Sequence, residues 1–359
     1  MKITIYILTL FILTSCENHQ QKDISTSVKT DTTTIATTVV DKPQIQYTDR
    51  QLEKFLDSVG GLTTQPLADK VSFIADSTFK NQVQVDKSIS DADFLKLKNV
   101  IDENKENDRV LDINTVKRIF GEIKVDSSFL ADGQIPITFY SFDKRTSDFN
   151  EYAICLGYPM DWSCELYFFK SNKIISKHTV FHRYGLELEH YKDSDGKTIV
   201  YYKENFGSGS GIWQFNFYFY KYYDGKLIPI LNELENGNLQ GGWGARIYWL
   251  KAVVIKNNPL TMKMVYYQEL SDTSGLRYRI IDESTVVQYS WDEKSKTLIG
   301  NYEKASINKQ QMLTYFLADN ELLFINAYYK TLKACLDDKT KRQLTLDYLN
   351  RMKNHFDNN

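Results

Sequence analysis

Two different hydrophobic periods run along this chain, and the places where one gives way to the other divide it. After Thr48 the residues Leu52, Phe55, Leu56 and Val59 recur at helical spacing until Gly60-Gly61 stops them. Ser90 opens a second helix, with Asp93 where a capping box usually has Glu or Gln, and Phe94, Leu97 and Ile101 form its apolar stripe. A third, short helix fits Asn114 to Phe120, with Gly121 as its stop. From about Ile135 to Lys304 the period becomes two. The clearest strand runs from Ile212 to Tyr222. Its odd positions are Trp213, Phe215, Phe217 and Phe219, and its even ones include Gln214, Asn216, Tyr218, Tyr220 and Tyr222. One apolar and one amphipathic face predict a half-buried antiparallel strand. Asp195-Gly196 and Asp224-Gly225 mark hairpins. From Ser306 onward the helical period returns. Leu313, Phe316 and Leu317 fit one helix, Leu322 to Leu332 a longer one, and Leu344, Leu346, Tyr348, Leu349 and Met352 a last amphipathic segment.

The pattern predicts an α+β fold: a predominantly antiparallel β-meander core flanked by N-terminal and C-terminal helices. A small β-propeller-like arrangement is the alternative. About a dozen strands would fill only about three four-stranded blades, and no repeat of propeller length is evident. The expected segments are a leader at 1–15, a lipidated cysteine and polar tether at 16–47, a helical region at 48–134, a β-rich core at 135–305 and C-terminal helices at 306–359.

The leader carries the most specific signal. Met1-Lys2 is followed by an apolar run from Ile3 to Leu13, too short to cross a bilayer as a helix, which takes ~20 residues. The run ends Leu13-Thr14-Ser15-Cys16: a large aliphatic residue, a variable position, a small residue, then cysteine. This resembles the lipobox of bacterial lipoproteins. The resemblance covers the leader alone. It implies cleavage before Cys16, acylation of its thiol, and two or more acyl chains holding the mature protein firmly to a membrane. Glu17 stands where an aspartate would favour the inner membrane, which leans the expectation towards the outer membrane of a cell envelope. Residues 17–47 are rich in Ser, Thr, Gln, Asp and Lys. As a flexible coil such a stretch has an end-to-end distance of roughly 30 Å.

Composition narrows the rest. The formal charge is −2, one unit more negative once Lys2 is removed, which argues against a general affinity for nucleic acid. Twenty-four tyrosines and 20 phenylalanines favour strands. Beyond Cys16 there remain Cys155, Cys164 and Cys335. Cys155 and Cys164 flank a turn containing Gly157 and Pro159, so pairing Glu151–Leu156 with Ser163–Lys170 would bring them opposite each other as a disulfide, the alternative being two buried thiols. Cys335 reads as a buried thiol on a helix.

Most motifs with a chemical look have a simpler structural reading. Gly207-Ser208-Gly209-Ser210-Gly211 is neither a P-loop nor a nucleophile elbow, because no Gly-Lys-Ser/Thr follows and Gly209 holds the nucleophile position. His178 and His182 lie on a strand, where a four-residue separation of ~13 Å is too wide to chelate one ion. Asp193 and Asp195 before Gly196 lack the remaining ligands of a calcium loop. Glu187 and Glu189 share a strand face at roughly 7 Å, near the spacing of glycosidase carboxylate pairs and equally the spacing of a solvated edge. No metal, cofactor or catalytic set is expected. The remaining feature is Gly241-Gly242-Trp243-Gly244-Ala245-Arg246, a large aromatic among glycines. With Trp249 and the Tyr218, Tyr220 and Tyr222 face, it offers a surface that aromatics use to grip sugars or partner proteins, the alternative being that Trp243 folds down to plug the core edge. The expected function is a non-enzymatic, lipid-anchored envelope protein binding a protein or glycan partner. An envelope-polymer hydrolase using Glu187 and Glu189 is the rival, and a structural coat role is the remaining alternative.

Overall fold

The computed structural model describes residues 44–66, 68–69, 82–125, 127–157, 163–181, 185–207, 213–241, 245–272, 274–316 and 320–358. Cys16, His182, Trp243 and the centre of the Gly207–Gly211 segment lie outside the described residues. Gln44–Asn359 form one compact unit, α+β as the periods predict, with two antiparallel sheets and no propeller blades.

The smaller sheet has six strands: β1 (Val83–Ser88), β2 (Val110–Asp112), β3 (Gln134–Ser141), β4 (Glu151–Leu156), β5 (Ser163–Lys170) and β6 (Lys173–Phe181). Its order is β1-β6-β5-β4-β3-β2, a meander with β1 added at the β6 edge. The larger sheet is an uninterrupted meander of eight: β7 (Leu188–Lys192), β8 (Thr198–Gly207), β9 (Trp213–Tyr223), β10 (Lys226–Gly241), β11 (Arg246–Asn257), β12 (Leu260–Ser271), β13 (Arg277–Asp292) and β14 (Thr297–Gly300). The hairpin glycines Gly196 and Gly225 take positive φ, as tight turns between twisted strands require.

The helices begin where their caps dictate. Helix α1 (Asp49–Gly60) starts at Thr48, whose side chain accepts from the Gln51 amide while Gln51 reaches back in a full capping box. Helix α2 (Asp91–Glu103) is capped by Ser90. Helix α3 (Ile113–Phe120) is capped by Asp112 and ends at Gly121 with φ +84°. A short α4 (Ser127–Asp132) precedes the small sheet's main run. The C-terminal helices are α5 (Lys309–Phe316), α6 (Glu321–Ala327), α7 (Tyr329–Asp337) and α8 (Arg342–Asn358). The single long helix expected over Leu322 to Leu332 is broken at Tyr328, whose ring is buried against Phe324 and whose backbone leaves the helical region. β1 and β2, within the segment read as purely helical, were invisible to periodicity because they are short and bury only Leu111 between them.

Packing produces four principal cores. One face of the small sheet buries Ile135, Ile154, Tyr167 and Phe169 under α2 and α3. Its other face lies on β8 and β9 of the large sheet, trapping Phe168, Val180, Tyr202, Tyr218 and Tyr220. The opposite face of the large sheet curls around Phe219, Leu250, Met264, Tyr266 and Tyr289, with Met312 and Tyr315 of α5 entering from one side. The curl brings Trp291 near the end of β13 within a ring contact of Tyr223 on β9, and the Lys221 ammonium sits 3.9 Å from the Trp291 ring. Helices α1, α6, α7 and α8 build the fourth core over Ala245, Leu270 and Ile280.

Strand β9 therefore corrects one expectation. Phe217 and Phe219 face the curled core while Tyr218, Tyr220 and Tyr222 face the small sheet, so the strand is buried on both sides rather than on one. The expected Cys155–Cys164 bridge is overturned as well. β4 and β5 do pair, but Cys155 stands opposite Leu166, two positions away from Cys164. Diagonal positions of this kind lie about 7–8 Å apart, beyond normal disulfide reach. Both are buried thiols, as is Cys335 on α7.

Candidate functional site

The sequence nominated Trp243, Arg246, Trp249, Tyr218, Tyr220 and Tyr222 for one recognition surface. Among the described members, the structure separates them into three environments.

Tyr218, Tyr220 and Tyr222 are enclosed. Tyr222 donates to the carbonyls of Tyr152 and Phe169 at 3.2 and 3.1 Å, tying the large sheet to the small one. Tyr220 lies 3.2 Å from the Tyr202 hydroxyl, which meets His178 Nδ1 at 3.0 Å, while His178 Nε2 meets Ser176 Oγ at 2.8 Å. Burial pushes the pKa of His178 down to about 3 and those of Tyr202, Tyr220 and Tyr222 well above the ordinary phenol value. The set resembles a serine–histidine dyad on paper. Ser176 and His178 are 0% and 1% exposed, so no substrate reaches them, and the hydroxyls serve to satisfy one another inside a buried interface. These tyrosines are not a binding face.

Arg246 is not exposed either. Its Nε lies 3.0 Å from Glu321 Oε2 on α6, its Nη1 3.2 Å from Gln268 Oε1, and its guanidinium 4.2 Å from the Phe324 ring centroid. Tyr348 of α8 donates to the same Glu321. A fully buried ion pair with its remaining valences met joins β11 to two C-terminal helices. The partner of Arg246 was not legible in the sequence, because Glu321 is distant in the chain and its neighbourhood reads as an ordinary helix start.

Trp249 alone among the described nominees keeps an accessible ring. Tyr248 and Leu250 point into the curled core, so Trp249 points out. It stacks on Tyr267 of β12, centroids 5.7 Å apart and planes 23° apart. The Arg279 guanidinium lies 4.3 Å from the Tyr267 ring centroid. Registers extend the row: Trp213 on β9 faces Asn238 on β10, which faces Trp249, which faces Tyr267. The adjacent row reads Phe215, Asn236, Lys251 and Val265. Between these rows on β9, Gln214 turns inward, donating to the Tyr248 hydroxyl and the Tyr315 carbonyl. Trp213 and Phe215 consequently lie outside every buried core, their rings 5.8 Å apart. Four half-buried aromatic rings, two asparagines and an exposed lysine thus occupy one outer patch spanning β9 to β12. Phe215 and Tyr267 were not singled out from the sequence. A signal existed: Lys251 and Lys263, alternating with Ala252, Met262 and Met264, mark which side of β11 and β12 meets water.

The other candidates resolve simply. Glu187 and Glu189 are both exposed, and Glu187 pairs with Lys203 at 2.9 Å. Asp193 closes the Lys192–Thr198 hairpin, accepting from the amides of Asp195 and Lys197, and its other oxygen meets the buried Lys221 ammonium at 2.7 Å. Among the described residues no group of His, Cys, Asp or Glu side chains could hold a metal ion, and no helix is long and apolar enough to cross a membrane. Glu151, Lys170, Lys192 and Thr198 form a mutually satisfied polar cluster joining the two sheets. No protein-family model matches the chain, and no curated protein matches it.

Proposed function

We propose that this chain is a lipid-tethered binding protein of a bacterial cell envelope, leaning to the outer membrane, which holds a partner against the outer face of β9–β12. The observation that supports the reading is the stacked Trp249–Tyr267 pair, continued by Trp213 and Phe215, on a sheet face that no other element of the described chain covers. Surface tryptophans with arginine alongside are the residue types that dominate binding energy. The tether supports it too: an acylated Cys16 followed by a polar stretch would let the body search for a partner at a short distance from the membrane.

Two measurements test this. Metabolic labelling with a fatty-acid probe should mark the parent and not Cys16→Ser, and equal labelling would refute lipidation at that residue. The body Gln44–Asn359 should co-sediment with purified envelopes of the bacterium that makes it. Trp249→Ala and Tyr267→Ser should each weaken that binding about tenfold while melting close to the parent temperature. Unchanged binding by both variants would refute the face.

A further inference from the structure

We infer that Lys221 and Asp193 become joined by an amide bond between their side chains, a covalent cross-link within the folded body. The bond is independent of what the outer face of β9–β12 holds.

Burial sets this pair apart. Lys221 lies near the end of β9, opposite Ile199 on β8 and Ile228 on β10. Its side chain is 1% exposed, whereas every other lysine found in an ion pair among the described residues keeps 22% or more. The Trp291 ring lies 3.9 Å from the ammonium and the Tyr223 ring 5.7 Å, shielding it from water. Those rings are themselves fixed, because Glu293 accepts from the Tyr223 hydroxyl at 2.8 Å and from the Trp291 indole at 2.6 Å.

The carboxyl of Asp193 is held ready for attack. Its Oδ2 lies 2.7 Å from Lys221 Nζ. At an ordinary hydrogen-bond angle this puts Cγ roughly 3.5 Å from the nitrogen, the separation of a near-attack pair. Oδ1 accepts from the amides of Asp195 and Lys197 at 3.0 and 2.8 Å. Two backbone N–H groups on one carboxyl oxygen are the arrangement that stabilises the oxyanion of an acyl transfer. The turn that supplies them is closed by the Asp193 amide on the Lys197 carbonyl, with Gly196 at φ +71°. Tyr191, two residues earlier on β7, has a buried hydroxyl without a hydrogen-bond partner among the described residues, and its phenol feels the Asp193 carboxylate. That hydroxyl relays a proton from the nitrogen to Oδ2.

The step balances within the pair. Nζ forms a bond to Cγ, charge passes to Oδ1 in its cradle of two amides, and the Cγ–Oδ2 bond breaks. Two of the three ammonium protons leave with Oδ2 as water, and the third stays on the amide nitrogen. No oxidant, reductant or cofactor enters. Asp193 is 13% exposed, which gives the water a way out, while the rings over Lys221 keep bulk solvent from the new bond. The described cysteines are free, buried thiols. The amide supplies the restraint on the unfolded chain that a disulfide gives other exported proteins.

The protein, purified from the cells that make it and denatured, is digested with trypsin and mapped by mass spectrometry. The expected product is Asp193–Lys197 joined to Glu204–Lys226, lighter than the two peptides together by one water, with no cleavage after Lys221. It should be absent from Lys221→Met and from Asp193→Ala. Tyr191→Phe should slow its accumulation after pulse labelling at least about tenfold, and an unchanged rate would remove Tyr191 from the step. A parent that releases Asp193–Lys197 and Tyr222–Lys226 as separate, unmodified peptides would overturn the bond and leave an ordinary buried ion pair. The map of the parent decides this even where a variant fails to fold. A joined product that persists in Lys221→Met would overturn the assignment to these two residues.

Discussion

The outer face of the large sheet has two halves with similar sequences and opposite fates. On β8 and β9 it carries Tyr202, Tyr218, Tyr220 and Tyr222, all covered by the small sheet. On β11 and β12 it carries Trp249 and Tyr267, half-buried rings that no other described element covers. In the covered half each hydroxyl that leaves water needs a replacement partner. His178, Ser176 and the carbonyls of Tyr152 and Phe169 supply several. In the open half the same aromatic chemistry is bordered by Arg279, Lys251 and Lys263, groups that stay hydrated. Aromatic content does not distinguish a binding surface from a core. What distinguishes them is whether the alternate positions and cross-strand neighbours are charged or apolar.

The sharpest break in the comparison is between the two sides of β11 itself. Arg246 points in and Trp249 points out. Arg246→Ala would leave Glu321 buried without its cation, a loss of about 3–5 kcal/mol readable in urea unfolding. Trp249→Ala removes a half-exposed ring from one stack and should cost no more than about 1 kcal/mol. If the two variants lost similar stability, the outer ring would be a structural element and the open half would have no claim to recognition.

A second break lies within the covered half. Tyr220→Ala empties a fully enclosed site and should cost about 3–5 kcal/mol, as large aromatic deletions do. Tyr220→Phe keeps the ring and removes one link of the hydroxyl chain, costing about 1 kcal/mol. Tyr267→Phe on the open half should be neutral in the same urea assay. A Tyr220→Ala variant as stable as Tyr267→Ala would mean that the small sheet does not cover β9 in solution.

Much of this architecture was readable beforehand. Caps at Thr48 and Ser90, the stop at Gly121 and the hairpin glycines are local signals, and each acts within a few residues of where it is written. The meander followed from the short turns and the period of two. What could not be read was coverage. Alternation places Tyr218, Tyr220 and Tyr222 together on one face, yet the small sheet that hides them is built from a separate stretch of chain and meets them only by tertiary packing. The same reason hid Glu321 from Arg246. The nominated site was legible only at Trp249, and its neighbours Tyr267, Trp213 and Phe215 became neighbours through register, including the β10 irregularity between Leu234 and Asn236. The Cys155–Cys164 expectation had the right strands and a register wrong by two residues, an error no local pattern corrects.

Acid should separate the two halves without any change of sequence. His178 is held neutral in the folded protein because burial takes its pKa down to about 3. In the unfolded chain it titrates near 6.5, so below that pH the unfolded state binds a proton that the folded state refuses. Stability therefore falls as pH drops, by about 2 kcal/mol from this group between pH 7 and pH 5. His178→Gln should flatten that part of the profile relative to the parent, whatever other groups contribute to both. An unaltered slope in the variant would show that the imidazole is hydrated and that the interface around Tyr202 and Tyr220 admits water. The outer patch contains no histidine and should bind its partner equally over the same range.

The smallest effect is expected at the carboxylates nominated for catalysis. Glu187→Gln gives up one exposed ion pair with Lys203, and Glu189→Gln alters an exposed position at the β7 edge. Each should change stability by no more than about 0.5 kcal/mol, and neither should alter binding at the outer patch. The two variants also decide the rival reading. A hydrolase working through this pair would release new reducing ends from envelope polysaccharide, and either substitution would abolish that release by removing an acid or a nucleophile. Both groups are exposed and Glu187 is tied to Lys203, so neither is enclosed around a substrate. The expectation is no release by the parent and none by the variants. Release by the parent that disappears in Glu187→Gln would transfer the function from the open face of β11 and β12 to the β7 edge.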